Sequence, residues 1–242
     1  MRFFLLAIFI FARVISAAES ANEFDAANRL YEKGEYAGAV AAYQKLTAQG
    51  KASAAILFNL GNAYFKNGQV GKAIVTYQQA ETVEPRDPDI RANLRFARGS
   101  VPGNNWRRSM IDRLLDLLTL NEIAVVVAIS FWIWFGCLAM GQIRPERKES
   151  LRTWVVLSAI VGILSAAWLA QGVIERAATR TAIVVASTSA VRFGPLEESQ
   201  ISFNVRDGNE LRVIGRKDAW LQVMDASSRT GWILTNDVAQ LR

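Results

Sequence analysis

Few side chains in this sequence are suited to catalysis. There is no histidine, so the commonest general base and the commonest metal ligand are both absent. The single cysteine, Cys137, lies in an apolar run, and a small hydrophobic role is favoured there because a thiolate is strongly disfavoured in hydrocarbon. Glu197 and Glu198 have no histidine or metal cluster to act with and are typical of a solvated loop. We therefore expect no enzyme, no cofactor and no metal site.

The strongest pattern is a repeat in which residues 28–46 align with residues 62–80 at an offset of 34. At this offset Gly34 matches Gly68, Ala39 matches Ala73, and Tyr43 matches Tyr77. The period and these positions resemble the tetratricopeptide (TPR) family, whose unit is a helix, a turn and a helix.

The second repeat, about 54–87, is the closer match to that family, and Pro85 is expected to open the next helix. The first repeat, about 20–53, has Ala27 in place of glycine and Lys51 in place of proline. Residues 87–98 are amphipathic and predict a capping helix. We predict an all-α domain of two TPR repeats and a cap over 20–98.

The TPR resemblance implies a groove for a peptide or a partner helix. The positions that face it by resemblance are Phe24, Asn28, Tyr31, Phe58, Asn62 and Phe65. An Asn amide can bond a peptide backbone through both donor and acceptor. The alternative, given equal weight, is that the aromatic rings simply pack and the Asn side chains are solvated. Phe24 replaces the basic residue that carboxylate-binding TPR domains use, so capture of a C-terminal carboxylate is not expected.

The net charge of +6 does not indicate nucleic-acid binding. The surplus comes mostly from residues 1–18 and 99–174, beside apolar segments, where it is a signal of membrane topology.

The N-terminus predicts a signal peptide over 1–18. Arg2 precedes an apolar stretch, and small residues 16–18 form a cleavage site. Arg13 interrupts the apolar run, and if it blocks cleavage the segment stays as an anchor. In either case the residues that follow are exported.

Two uncharged runs, 123–142 and 153–174, predict transmembrane helices at 121–142 and 153–174. A linker and an interfacial amphipathic helix are expected over 99–120. Neither run contains an acid, a base or a glycine–proline break, so transport is not predicted. The loop at 143–152 holds four basic residues, Arg144, Arg147, Lys148 and Arg152. Together with the export signal, this places the loop in the cytoplasm and both ends outside it.

The segment 180–242 contains short β-like runs separated by turns at 206–209 and at Ser227–Ser228. Its pattern resembles the bacterial SH3 (SH3b) family, which implies a closed or half-closed barrel. The matching residues are Ala190, Val191, Arg192, Gly194, Pro195, Gly208, Trp220, Gly231 and Trp232. Trp220 and Trp232 are expected in the barrel wall rather than in a ligand platform.

The complete order of segments resembles the BatE-type proteins of the bacterial aerotolerance (Bat) system. That resemblance implies membrane-anchored von Willebrand factor A-domain proteins and a MoxR-type ATPase as partners, and supplies no catalytic residue. The predicted fold class is a multidomain membrane protein with all-α TPR repeats, a transmembrane helical hairpin and a small all-β SH3-like barrel. Our hypothesis is a non-enzymatic inner-membrane adaptor whose TPR and SH3b domains are periplasmic. The alternative is binding or sensing of cell-wall peptidoglycan through the SH3b domain.

Overall fold

The computed structural model describes residues 22–104, 119–178 and 180–240. These residues form two compact units. The first joins the described residues up to 104 with those from 181 onward, and the second comprises those between them. We call the first the helix–sheet unit and the second the hairpin. The predicted signal peptide and most of the predicted interfacial helix lie outside the described residues.

The helix–sheet unit begins with two helical pairs and a further helix. They are α1 (22–32), α2 (Tyr36–Ala48), α3 (Ala54–Lys66), α4 (Val70–Val83) and α5 (Pro88–Gly99). Gly34 and Gly68 occupy equivalent turns with φ of +79° and +78°, the left-handed region that favours glycine. The predicted pair of repeats with a following helix is therefore present.

The start of α5 differs from the prediction that Pro85 opens this helix. Pro85 lies in the preceding turn, and α5 begins at Pro88. The Asp87 side chain caps the helix by accepting from the backbone N–H groups of Asp89 and Ile90, at 2.8 and 3.0 Å. A proline at the first helical position needs no N–H partner, so the Asp87-Pro88 pair defines the start.

Small residues let the paired helices approach closely. A Cβ on Gly61 would lie 2.6 Å from Tyr77 Cε1, closer than real Cβ atoms pack. At the equivalent place of the first repeat, Ala27 is completely buried. Tyr43 and Tyr77 are buried between the helices of their own repeats. The 34-residue period thus repeats the same packing twice.

The C-terminal residues form a seven-stranded sheet in which every pair of neighbouring strands is antiparallel. Its strands are β1 (Thr181–Val184), β2 (Thr188–Arg192), β3 (Ile201–Arg206), β4 (Glu210–Lys217), β5 (Trp220–Met224), β6 (Thr230–Leu234) and β7 (Val238–Gln240). The strand order is β3-β2-β6-β5-β4-β1-β7. No pairing joins the edge strands β3 and β7, so the sheet is open. The predicted β segment is confirmed as an antiparallel sheet, whereas its closure into an SH3-like barrel is not.

Strand β1 divides its side chains between two hydrophobic cores. Ala182 and Val184 belong to the core of the sheet, whereas Ile183 is completely buried in the core of the helical repeats. Successive side chains of a strand point to opposite faces, so a single strand can serve both cores. The helices and the sheet are consequently parts of one packed unit rather than separate domains.

The hairpin consists of α6 (Leu120–Ile143), a short 3-10 turn (Pro145–Arg147) and α7 (Lys148–Ala178). Thr119 and Glu122 form a capping box at the start of α6. Ser130 lies opposite Gly162, where an added Cβ would be 3.5 Å from the Ser130 Cβ. The buried Ser130 hydroxyl donates to the Val126 carbonyl, so no polar group is left unpaired by this contact. Both helices are long and apolar enough to cross a bilayer.

Candidate functional site

Asn28 and Asn62 occupy equivalent places and make equivalent hydrogen bonds. Asn28 Oδ1 accepts from Tyr43 Oη at 2.5 Å and from Asn59 Nδ2 at 3.1 Å. Asn62 Oδ1 accepts from the corresponding Tyr77 Oη and from Asn93 Nδ2, at 2.6 and 2.8 Å. Each Asn therefore joins its own repeat to the first helix of the next unit.

The other four predicted groove residues lie on the same helices, and all four are half-buried. The Phe24 ring lies 6.1 Å from that of Tyr43, and Phe58 lies at the same distance from Tyr77. These matching pairs cover the buried tyrosines in both repeats.

Towards the C-terminal ends of the first helices the aromatic contacts differ between the repeats. Tyr31 makes an edge contact with Tyr36 at 5.4 Å, whereas Phe65 contacts Phe96 of α5 at 5.5 Å. Phe96 is 66% exposed and was not predicted as a site residue. The aromatic track therefore continues onto α5 and ends on an exposed ring.

These contacts limit what the two Asn amides can offer a ligand. Their Oδ1 atoms already accept two bonds each, and among the described residues their Nδ2 groups have no acceptor. A peptide carbonyl is the group that Asn28 and Asn62 could still bind. The aromatic rings both pack against the helical core and line its partly exposed face.

Burial extends to higher pH the range over which the hydroxyl groups of these tyrosines stay protonated. It raises the pKa of Tyr43 to about 12, and the Asn59 amide offsets part of the shift. Burial also raises the pKa of Tyr77 well above its ordinary value, with a smaller opposing effect of Asn93. Both phenols are therefore donors to Asn28 and Asn62 across the physiological range.

A second set of polar contacts joins the repeats to the sheet. Asp207, in the β3–β4 turn, accepts through Oδ1 from the Gly71 N–H at 3.0 Å, in the first turn of α4. A carboxylate at this place satisfies a free helix N–H and meets the positive end of the helix dipole. Desolvation by burial is the largest influence on the pKa of Asp207 and raises it. The hydrogen bond from the Gly71 N–H and the charge of Lys72 lower this pKa by less.

Glycines bring the two backbones together at this contact. A Cβ on Gly71 would lie 2.0 Å from the Val184 carbonyl oxygen. Gly208, with φ of +84°, sits so close to Val101 that a Cβ there would lie 2.6 Å from Val101 Cγ2. A Cβ on Gly71 would meet backbone, and one on Gly208 would displace the Val101 side chain at a left-handed φ that favours glycine.

The last turn of α5 and the residues after it extend the same interface. Arg98 Nε lies 2.6 Å from Glu210 Oε1, and both side chains are largely shielded from solvent. Asn104 donates to the Gly208 carbonyl at 2.8 Å and accepts from the Glu210 N–H at 2.9 Å. The stretch that composition predicts to be a linker is thus bonded to the sheet as far as Asn104.

The interface was missed by our reasoning from sequence, although one signal was present. Residues 182–186 are five consecutive apolar residues with no alternation. A strand of this kind is buried on both faces and needs a second layer beside its own sheet. The helical repeats supply that layer.

Two of the SH3b-like residues have clear packing roles. A Cβ on Gly231 would lie 2.6 Å from Val191 Cγ1 and 2.7 Å from the Arg192 carbonyl oxygen, so glycine permits β6 to pass β2. Trp220 is buried and Trp232 half-buried. The burial of Trp220 agrees with a core residue, and its predicted place in a barrel wall stays a prediction.

Residues 24–89 match the family model described as tetratricopeptide repeat. No curated protein matches the chain. The match covers the helical repeats and agrees with the fold of α1 to α4. TPR repeats are typically non-catalytic modules that bind or scaffold other proteins, so the match indicates a role in protein–protein interaction.

Proposed function

We propose that this protein is a two-pass membrane adaptor that binds protein partners through the face of α1, α3 and α5. The observation that carries this proposal is the packing of residues before and after the hairpin into one unit. Arg98 and Glu210 are in direct contact and lie on either side of the hairpin in sequence. Two residues in contact lie on the same side of a bilayer. The hairpin between them therefore crosses the membrane twice and returns to the side where it entered.

The orientation rests on the charge pattern. Arg144 and Arg147 lie between α6 and α7, and Lys148 is the first residue of α7. These basic residues favour the cytoplasm. The helix–sheet unit then lies on the extracytoplasmic side of an inner membrane, which is also the side that the predicted N-terminal export signal favours. We further propose that the sheet is an SH3b-type module and that the assembly is a Bat-type envelope complex.

The partner-binding face is supported by its aromatic side chains. The six predicted residues, Phe24, Asn28, Tyr31, Phe58, Asn62 and Phe65, lie on α1 and α3, and the exposed Phe96 extends their track. Aromatic residues are enriched in protein interfaces, where they bury a large area at low entropic cost. A partner helix or peptide would cover Phe96 and Phe65 and reach the amide groups of Asn28 and Asn62.

Topology is tested by labelling single cysteines with a membrane-impermeant maleimide. In a variant with Cys137→Ser, a cysteine is placed at exposed Lys33, Glu146 or Ser227. We expect Lys33→Cys and Ser227→Cys to react from outside intact spheroplasts, and Glu146→Cys only after permeabilisation. Different labelling of the first two would contradict the packing of helices against sheet. Reaction of Glu146→Cys from outside would reverse the proposed orientation.

Partner binding is tested by copurification in mild detergent from native membranes. Phe96→Asp places a charge on the exposed end of the aromatic track, and we expect it to reduce recovery of membrane partners at least about tenfold, equivalent to about 1.4 kcal/mol. Val83→Asp on α4 is the matched control, since Val83 is also an exposed apolar residue. Equal recovery with both variants would rule out the aromatic face as the binding surface.

A further inference from the structure

A cleft of about 250 Å³ lies within the helix–sheet unit, between the repeats and the sheet. It is lined by α2, α3 and α4 and by the ends of β1 and β7. None of the six predicted groove residues lines it. The cleft is therefore a different surface from the aromatic face of α1, α3 and α5.

Tyr64 is the buried aromatic residue of the cleft. Its hydroxyl accepts from Gln44 Nε2 at 2.6 Å, and the Lys72 ammonium lies 5.7 Å from the centre of its ring. The two contacts hold an amide and a cation beside the same ring.

The Lys72 ammonium and the Gln79 amide supply the free donors of the cleft. The hydroxyl groups of Thr47 and Thr76 donate to carbonyls of their own helices, at 2.9 and 2.8 Å. Lys72 and Gln79 have exposed side chains with no hydrogen bond or salt bridge in the described part of the unit. Lys72 is the one ionised side chain among the lining residues, which include no carboxylate. Asp207, which also attracts Lys72, is already bonded to Gly71.

The other walls of the cleft are apolar. Val185 and Ala239 lie on the sheet face that carries Ile183, because Ala239 pairs with Ile183 and alternate residues of a strand share a face. Strand β7 is also an edge of the sheet. The volume is below the roughly 300–1,000 Å³ of pockets for drug-sized molecules. It suits one or two side chains of a bound peptide.

We propose that this cleft is a second binding site, which takes a glutamate side chain from an extended segment of a partner protein. The carboxylate meets Lys72 and Gln79, and its methylene groups lie against Tyr64 and the sheet. The positive charge of Lys72 and the amide N–H of Gln79 select an acid, and the apolar walls select a side chain rather than a free inorganic anion. This site goes beyond the proposed function, since it does not use the aromatic face.

The test uses the full-length protein in detergent micelles and a library of capped decapeptides. The central residue is either Glu or Gln, and all other positions are varied. We expect Glu peptides to be retained about tenfold over Gln peptides, the effect of one charge-assisted contact. Lys72→Gln should abolish that preference and Lys72→Glu should reverse it. No preference in the native protein, or a preference that persists in Lys72→Glu, overturns the proposal.

Three further variants test whether the preference for Glu peptides arises in the cleft. Lys66→Gln removes an exposed lysine from the end of α3, outside the cleft, and should retain the Glu preference. Gln79→Trp fills the cleft from an exposed position and should abolish retention without unfolding the protein, as checked by its melting temperature. Phe96→Asp should leave the Glu preference unchanged. Loss of the preference in Phe96→Asp would instead assign the peptides to the aromatic face and overturn the second site.

Discussion

The Gly71 N–H donates to the Asp207 carboxylate at 3.0 Å across 136 positions of the chain. This bond joins the start of a TPR helix to a turn of the sheet. The residues between them include the entire hairpin, so the two parts of the helix–sheet unit meet only after the chain has passed through both long apolar helices. The contact therefore joins two parts of one packed unit that the hairpin separates in sequence.

Substitution of Gly71 by Ala should destabilise the protein by about 1–3 kcal/mol, because the new Cβ meets backbone. It would lie 2.0 Å from the Val184 carbonyl oxygen and 2.5 Å from Asp207 Oδ1. Glycine to alanine within a helix ordinarily stabilises by up to about 1 kcal/mol, so the expected sign is reversed.

Gly99→Ala is the control for that experiment, since nothing lies within 4 Å of the Cβ it would add. Urea unfolding of both full-length variants in detergent measures the difference. If Gly71→Ala is as stable as Gly99→Ala, the close approach of α4 to the sheet is incorrect.

Substitutions of Asp207 should distinguish its hydrogen bond from its charge. Asp207→Ala removes the acceptor of the Gly71 N–H and should cost about 1 kcal/mol, the usual effect of losing a helix cap. Asp207→Asn keeps an acceptor and removes a carboxylate that burial disfavours. At neutral pH we expect Asp207→Asn to be at least as stable as the native protein.

The pH dependence of Asp207 has the opposite sign from that of a salt-bridged acid. The folded-state pKa lies above the unfolded value, so the folded protein binds this proton more tightly. The resulting stabilisation is fully present below the ordinary carboxyl pKa of about 3.9 and is lost as the pH rises through the folded-state pKa. The native protein should therefore gain stability relative to Asp207→Asn as the pH falls towards 4. A growing advantage of Asp207→Asn on acidification would contradict the raised pKa.

Asn62→Ala should destabilise the repeats by about 1–3 kcal/mol, the cost of leaving buried donors unsatisfied. It removes the shared acceptor of Tyr77 Oη and Asn93 Nδ2, at 2.6 and 2.8 Å. Asn204→Ala, at an exposed place on β3, is the control and should change stability by less than about 0.5 kcal/mol.

The pair Asn62→Ala with Tyr77→Phe gives a second test of the same bond. The double variant has no unpaired phenol. Its loss of stability should therefore be smaller than the sum of the losses in the two single variants. Strict additivity in urea unfolding would mean that the Tyr77 hydroxyl does not depend on Asn62. The same measurement shows whether a loss of partner binding in Asn62 variants arises from their lower stability.

Arg98 and Glu210 should show measurable coupling in a double-mutant cycle. Their side chains are 24% and 12% exposed, and the Nε–Oε1 distance is 2.6 Å. We expect a coupling free energy above about 1 kcal/mol from unfolding of the single and double alanine variants. The Lys45–Glu23 pair is the comparison: Lys45 is 67% exposed, and its coupling should lie below about 1 kcal/mol. Equal values for the two pairs would show that Arg98–Glu210 does not join the helices to the sheet.

The sequence alone determined the parts of this protein that follow from local pattern. The 34-residue period, the glycines of the two turns and the apolar lengths of α6 and α7 depend on neighbouring residues, whose backbone and burial preferences act over a few turns. The six groove residues likewise came from matching positions in the repeat, and their role in binding stays a prediction.

Only the tertiary structure decided how these parts combine. It placed Ile183 in the core of the repeats, bonded Asp207 to Gly71, and turned Asn28 and Asn62 towards Tyr43 and Tyr77. It also left the sheet open between β3 and β7. Such contacts depend on the fit of two whole surfaces that are distant in the chain, and no spacing within either segment encodes that fit.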